Sequence, residues 1–255
     1  MGTEGDFMVK VDNHVHSKYS FVSQTSLEDI VKAADKKGLT HVAITDRINF
    51  RDQSINEVIN RINNRNKRIN TLVTPKGLTV IKGLEVCEPH LHKQELKMLS
   101  EMTDNDFILG AVHNILGVPL KKMNFYPEIT NLYLSSILKM VKTADIDAVA
   151  HLDYLKKCSP DYSFDMNIVE TILTEMINRG IALEINTNGI RRINDLYPSL
   201  DIIKLYLELG GRNIIYGSNA KRANEVYENI DTAHDVLSDL DLEEGYVLKR
   251  KFIRI

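Results

Sequence analysis

Cysteine is scarce in this chain. Cys87 and Cys158 are the only two among 255 residues, they lie far apart, and neither belongs to a CxxC pair. That excludes a disulfide framework and reads as two reduced, buried thiols. Cys87 does stand close to Glu85, a candidate metal ligand. A dominant charge is missing as well. The 32 basic and 35 acidic side chains leave a net charge of −3, so no basic field is present to track nucleic acid. No apolar run reaches the roughly 18–20 residues of a membrane span. The start, MGTEGDFMVK, lacks the charged-then-apolar pattern of a secretory signal. These absences predict a cytoplasmic protein that binds neither membrane nor nucleic acid, as a monomer or small homo-oligomer. MGTEGDF also looks little like the strand that follows it, so Met8 is the expected natural start, with residues 1–7 an addition.

No Pro/Gly/Ser-rich linker or low-complexity block divides the sequence. With 43% hydrophobic residues, residues 1–255 are expected to form one domain around a large core. Short β-branched runs alternate with amphipathic stretches. The predicted strands are MVKVDNHVH, THVAITD, LTVIKGLEV, DFILGAVH, DAVAH, IALEINT and NIIYGS. The first helix is SLEDIVKAADKKG, with Ser26 as N-cap, Asp29 three residues on, and Gly38 as its stop. The asparagine-rich INEVINRINNRNKRIN spaces Ile55, Val58, Ile59 and Ile62 as one helical face, which predicts an amphipathic helix with a polar outer face. Further helices are expected near Pro127–Ala144, Met166–Arg179, Ser199–Leu209 and Ala223–Leu240. Seven strand–helix alternations predict an α/β fold with a parallel, TIM-like (β/α)7 barrel, since parallel strands need crossovers that cover both faces of the sheet. A doubly wound open sheet is the rival, but no GxGxxG opens a helix after the first strand. YVLKRKFIRI, at the end, reads as an edge strand or a tail.

In such a barrel the working groups gather at the C-terminal ends of the strands. The polar residues at those ends are His14 and His16, then Asp46, Glu85, His113, His151, Glu184 with Asn186, and Asn219. His14 and His16 are two apart on an extended segment and share a face. Glu85 sits inside VIKGLEV, where a carboxylate is costly unless paired or liganded. His113 or His151, taken singly, is the pattern of a satisfied core histidine. Jointly, several imidazoles with a carboxylate predict a zinc-, manganese- or iron-type site. His41 is expected at the opposite end of the barrel and His234 on the surface. His90 and His92, in EPHLH, are read as structural or solvated, with substrate contact as the other option.

HVH after the first strand, GLTHVAITD, GLEVCEPH, AVHNI, AHLDY, LEINTNG and YGSNAK together resemble, in this order, the polymerase-and-histidinol-phosphatase (PHP) domain family. GLEVCEPH, VHNI and EINTNG with YPSL resemble its histidinol-phosphate phosphatase branch. The resemblance implies a distorted seven-stranded barrel with up to three metal ions. Carried across by position, it implies that His14 and His16 hold a first ion with Glu85. Glu85 then bridges to a second ion held by His113 and His151. The family's remaining first-ion ligand is an aspartate, and Asn219 stands there. The third-ion ligands, histidines or an acid in the family, fall at Val22, Arg47 and Lys221, so ITDH reads ITDR and GSDAH reads GSNAK. One or two divalent ions (Zn, Mn or Fe) are therefore expected, and no third.

Arg does not lose its proton and Lys seldom does, so neither is a plausible ligand at neutral pH. Arg47 and Lys221 either grip substrate phosphate in the vacated third site, or fill a dead site and face water or Asp46. With Glu85 and Asp46 they form the expected catalytic set. Arg191 and Arg192, after LEINTNG, either add a phosphate contact or lie on the surface. Asp12, Asp46 and Asp153 are expected to orient the imidazoles. The leading expectation is a metal-dependent phosphoesterase acting on a small phosphate monoester, histidinol phosphate being nearest. A non-catalytic relative that binds a phosphorylated ligand or partner is one alternative, and a related enzyme for a different phosphoester is another.

Overall fold

The computed structural model describes residues 9–123, 127–158 and 163–255; the first seven residues and Met8 fall outside these. β1 (Val11–Val15) leads to α1 (Leu27–Lys36), capped as expected: the Ser26 hydroxyl accepts the Asp29 amide at 3.1 Å, and Gly38 ends the helix at φ +70°. β2 (His41–Ile48), α2 (Ile55–Asn70) and β3 (Thr79–Cys87) follow, then α3 (Lys93–Met102) and β4 (Phe107–Ala111). A small hairpin, β5 (Asn114–Ile115) with β6 (Val118–Pro119), comes directly after His113. Next are α4 (Pro127–Thr143), β7 (Ala148–Val149), α5 (Met166–Asn178), β8 (Ala182–Asn186), α6 (Asn188–Ile193), α7 (Leu200–Glu208), β9 (Asn213–Gly217) and α8 (Ile230–Leu237). The chain ends in the hairpin of β10 (Glu243–Leu248) and β11 (Lys251–Arg254), so its terminal stretch is an edge hairpin, not a tail.

Seven parallel strands run in the order β1-β2-β3-β4-β7-β8-β9, and β10 and β11 extend the sheet beyond β9. The barrel closes at the site end, where the His16 amide donates to the Ala220 carbonyl at 2.9 Å and the Ala220 amide to the His14 carbonyl. Farther down, β1 and β9 do not pair directly. There β10 runs along Asn213 and Ile214, and the Asn13 side-chain amide donates to the carbonyls of Tyr216 and Gly245. That inserted hairpin is the distortion in the seven-stranded barrel.

Alternation along the strands sorts side chains into two layers. Ala43, Ile81, Phe107, Leu109, Ala148, Ala182 and Ile215 pack together, while Val42, Ile44, Leu84, Val86, Leu183 and Ile185 belong to the cluster shared with the helices. Glu85 falls in the inward series of β3 and Arg47 in that of β2, and the register sets the two side by side.

Two helical expectations need correction. In α2, Val58, Ile59 and Ile62 are buried as expected and Ile55 partly so, but Arg65 and Asn66 are buried too. The outward-pointing Asp46 of β2 gives Arg65 an inner partner at 3.6 Å. The expected helix Ala223–Leu240 is broken into a 3-10 turn, Ala223–Glu225, and α8. Between them Tyr227 and Asn229 adopt positive φ (59° and 61°), with the Tyr227 amide tied to Asp12 at 2.7 Å. His41 begins β2 and stacks on Tyr246, and His234 is exposed on α8.

Candidate active site

Four imidazoles converge on one carboxylate. His151 Nε2 lies 3.2 Å from Glu85 Oε1, with His113 Nε2 at 3.6 Å and His14 Nε2 at 3.7 Å; His16 Nε2 lies 3.8 Å from Glu85 Oε2. Their donor atoms form two overlapping groups, His14–His16–Glu85 and Glu85–His113–His151, each within 4.8 Å. Glu85, His14 and His16 are fully buried, and His151 leaves its strand at φ +28°. Asn219 brings Oδ1 to 3.2 Å from His16 Nε2.

The charge states suit a cation. Burial presses His16, His113 and His151 toward the neutral form, and Arg47 reinforces this at His113. Burial would raise Glu85, but the charges and hydrogen bonds around it, the Arg47 guanidinium foremost, outweigh burial and hold the carboxyl well below its ordinary range. Neutral imidazole and ionised carboxylate are the forms that bind divalent transition ions. His16 Nδ1, His113 Nε2 and His151 Nδ1 are buried without a hydrogen-bond partner among the described residues. Of these, His113 Nε2 is the one that faces Glu85, at 3.6 Å from Oε1, and an unpaired nitrogen beside that acid fits metal ligation better than a satisfied core.

The three aspartates expected to orient imidazoles do other work. Asp12 accepts from the His14, Ser218 and Tyr227 amides and the Ser218 hydroxyl. Asp153 accepts the Ser199 amide at 2.9 Å, with Lys156 Nζ at 3.2 Å. Asp46, expected in the catalytic set, points outward beside Leu84, takes the Ser17 amide and hydroxyl at 2.7 and 2.8 Å, and does not reach the cluster. The orienting carboxylate is Glu184. It accepts His14 Nδ1 at 2.5 Å, the His151 amide at 2.7 Å and the Asn186 side chain at 3.0 Å. Its position at the end of β8 was visible in the sequence; its partners were not.

Glu184 and His14 lie over Gly217. A Cβ there would collide with Glu184 Oε1 and stand 2.6 Å from His14 Cβ. Gly217→Ala is therefore expected to destabilise the fold by about 1–3 kcal/mol, as overpacked cores do, and to weaken metal retention by displacing His14. Thermal melts with metal analysis check this; unchanged values for both would show that the contact yields freely.

Above the cluster opens a cavity of about 640 Å³, lined among others by Val22, Arg47, Cys87, His113, His151, Asn219 and Lys221. Arg47 donates Nε to Glu85 Oε2 at 2.5 Å and Nη2 to Oε1 at 3.3 Å. Lys221 Nζ donates to Asn219 Oδ1 at 2.6 Å. Both cations thus face the cluster, not Asp46 and not open water. Burial, then Arg47, pushes the Lys221 ammonium down to about 7. Val22 is an apolar wall. Cys87 is buried with Sγ 3.3 Å from His113 Nδ1, and both cysteines are free thiols. His90 and His92 are absent from the cavity lining. Nor do Arg191 and Arg192 line it. They border an adjoining cleft of about 550 Å³, where Arg191 pairs with Glu228 and lies 3.8 Å from Glu225. Those two acids after β9 take the guanidinium that the sequence offered to phosphate.

Relatives match this chain over nearly their full length. A Clostridium acetobutylicum protein named a probable histidinol-phosphatase is 24% identical over 94% of this chain and 97% of its own. One of the same name from Thermotoga maritima is 24% identical over 96% and 98%. The crystal structure of histidinol phosphate phosphatase from Lactococcus lactis subsp. lactis, complexed with Zn, L-histidinol and phosphate, superposes with a TM-score of 0.75 at 21% identity, covering 96% of this chain and 98% of that one. The PHP domain family model matches residues 12–188, a span that runs from β1 to the start of α6 and contains all five converging side chains. The chain belongs to the PHP domain family.

Proposed function

We propose that this protein is a metal-dependent phosphatase that hydrolyses small phosphate monoesters in the cytoplasm. The convergence of four imidazoles on Glu85 beneath a cavity carrying Arg47 and Lys221 carries the reading. In it, His14, His16, Glu85 and Asn219 hold one divalent ion, and Glu85, His113 and His151 a second, drawn from Zn, Mn or Fe. When bound, such ions supply Lewis acidity toward the phosphoryl oxygens and toward an attacking water. Glu85 belongs to both ligand groups and would serve both positions. Glu184 fixes the His14 ring and, through the His151 amide, the turn that aims His151. Arg47 braces Glu85 and, with Lys221, presents positive charge where the ester's phosphoryl oxygens collect, as a planar fork and a point donor respectively.

Relatives carrying the histidinol-phosphatase name make histidinol phosphate the reference ester for assay. Five polar groups buried together favour a cation site, and the test of chelation and turnover separates catalysis from binding alone.

Protein purified without chelator is expected to hold one to two equivalents of transition metal. Phosphate release should vanish on chelation and return with Zn²⁺ or Mn²⁺. Asn219→Asp puts a carboxylate in place of the amide and is expected to tighten the ion shared with His14, His16 and Glu85 about tenfold, on the scale of a neutral contact made charge-assisted. Below about 0.3 equivalents of metal, far short of one site per chain, with no turnover on adding metal, the reading falls.

A further inference from the structure

We infer that the cavity above Glu85 takes a phosphomonoester whose alcohol part carries a second anionic group, received by Lys121 and Lys157. The inference rests on the phosphatase reading of the site. Charge on the wall is one-sided. Arg47, Lys121, Lys157 and Lys221 line the cavity, whereas Asp52 is the one carboxylate among its described lining residues, and Asp52 already accepts the Asn49 side-chain amide. Two of the four cations have partners at the Glu85 end, Arg47 on Glu85 and Lys221 on Asn219. The ammonium groups of Lys121 and Lys157 make no hydrogen bond or ion pair with any described residue.

Their placement suits the far end of a small ester. Lys157 Nζ sits over the Tyr154 ring, 5.4 Å from its centroid. That ring packs on His151 and His113, with centroids 4.9 and 5.3 Å apart. Lys157 is thus one aromatic ring away from the second imidazole pair. Lys121 follows the β5–β6 hairpin, the same loop that begins at His113. These cations also repel one another: burial, then Arg192, Arg47 and Lys121, lowers the Lys157 ammonium from its ordinary value. An anion between them relieves that repulsion, and a cationic alcohol such as histidinol adds to it.

The test compares kcat/KM on metal-loaded protein for four esters: glycerol 3-phosphate, histidinol phosphate, 3-phosphoglycerate and 1,3-propanediol bisphosphate. An ester with a second anion is expected to exceed glycerol 3-phosphate by about tenfold, the scale of one charge-assisted contact, with histidinol phosphate below both. An advantage confined to the carboxylate or to the second phosphate identifies which anion is taken. In Lys121→Glu/Lys157→Glu the ratio should fall to one or less. A ratio unchanged in that variant, or histidinol phosphate leading the series, overturns the inference. Calorimetric binding of 3-phosphoglycerate against glycerol 3-phosphate needs no turnover. A preference there without hydrolysis of any ester keeps the subsite and discards the phosphatase; hydrolysis without preference does the reverse.

Discussion

Exchanging Glu85 for glutamine is expected to strip the protein of bound metal and to lower phosphate release by about a thousandfold or more, the scale of losing a principal electrostatic element. The side chain keeps its size and loses its charge. Four imidazoles then face a neutral amide in a buried site, and the neighbouring acid, Glu184, is already engaged by His14, the His151 amide and Asn186. Arg47 loses its counter-charge as well, so positive charge remains where a cation is meant to bind. Glu85→Asp retains the charge but withdraws it by one methylene from imidazoles already 3.2 to 3.8 Å away, so a partial loss is expected. Metal content, steady-state phosphate release and a thermal melt read the three effects separately. Metal content and turnover within twofold of the parent would remove Glu85 from the centre of the site.

What the sequence reveals here follows from the reach of each physical signal. Alternation of short β-branched runs with amphipathic stretches located all seven barrel strands, because strand burial on both faces writes itself into composition. Glu85 and the imidazoles stood out for the opposite reason: a carboxylate inside VIKGLEV violates the local pattern, and violations collect at sites. Asp46 and Arg47 were harder. They are neighbours in the chain, but a strand turns neighbours to opposite faces, so Arg47 meets Glu85 while Asp46 leaves for α2. Alternation could have separated them had it been applied to this pair. Glu184 and Asp12 were visible only as acids near strand ends; which amide or ring each holds depends on contacts across as many as 215 positions of chain separation. The break before α8 has the same origin, since Asp12 fixes the Tyr227 amide from the far end of the sequence. Arg191 shows the converse error: a basic residue beside a motif looks free until acids from another loop are brought against it.

Arg65→Ala is expected to cost about 3–5 kcal/mol of stability, the range for removing one member of a buried ion pair. That corresponds to roughly 6–20 °C in Tm for a chain of this size. Arg65 has no exposed surface. Its guanidinium donates to the carbonyls of Gly83 at 2.7 Å and Ile44 at 3.3 Å, and to the Asn66 and Asn105 side chains. It ties α2 to β2 and β3 and lies 3.6 Å from Asp46. Burial disfavours the charged form of both partners, each partly offset by the other, so the pair adds little by itself, but removing Arg65 leaves Asp46 buried without its principal counter-charge. Asp46 in turn holds the Ser17 amide and hydroxyl, next in sequence to His16. The variant should therefore also retain metal less well, although Arg65 touches none of the converging ligands. Arg65→Met/Asp46→Asn removes both charges and should lose less than the sum of the single changes, because neither charge is stranded. Thermal melts and metal analysis on the four proteins of that cycle decide the matter. Additive losses would show that Arg65 acts through its carbonyl contacts alone, and full metal retention in Arg65→Met would cut the link from α2 through Asp46 and Ser17 to His16.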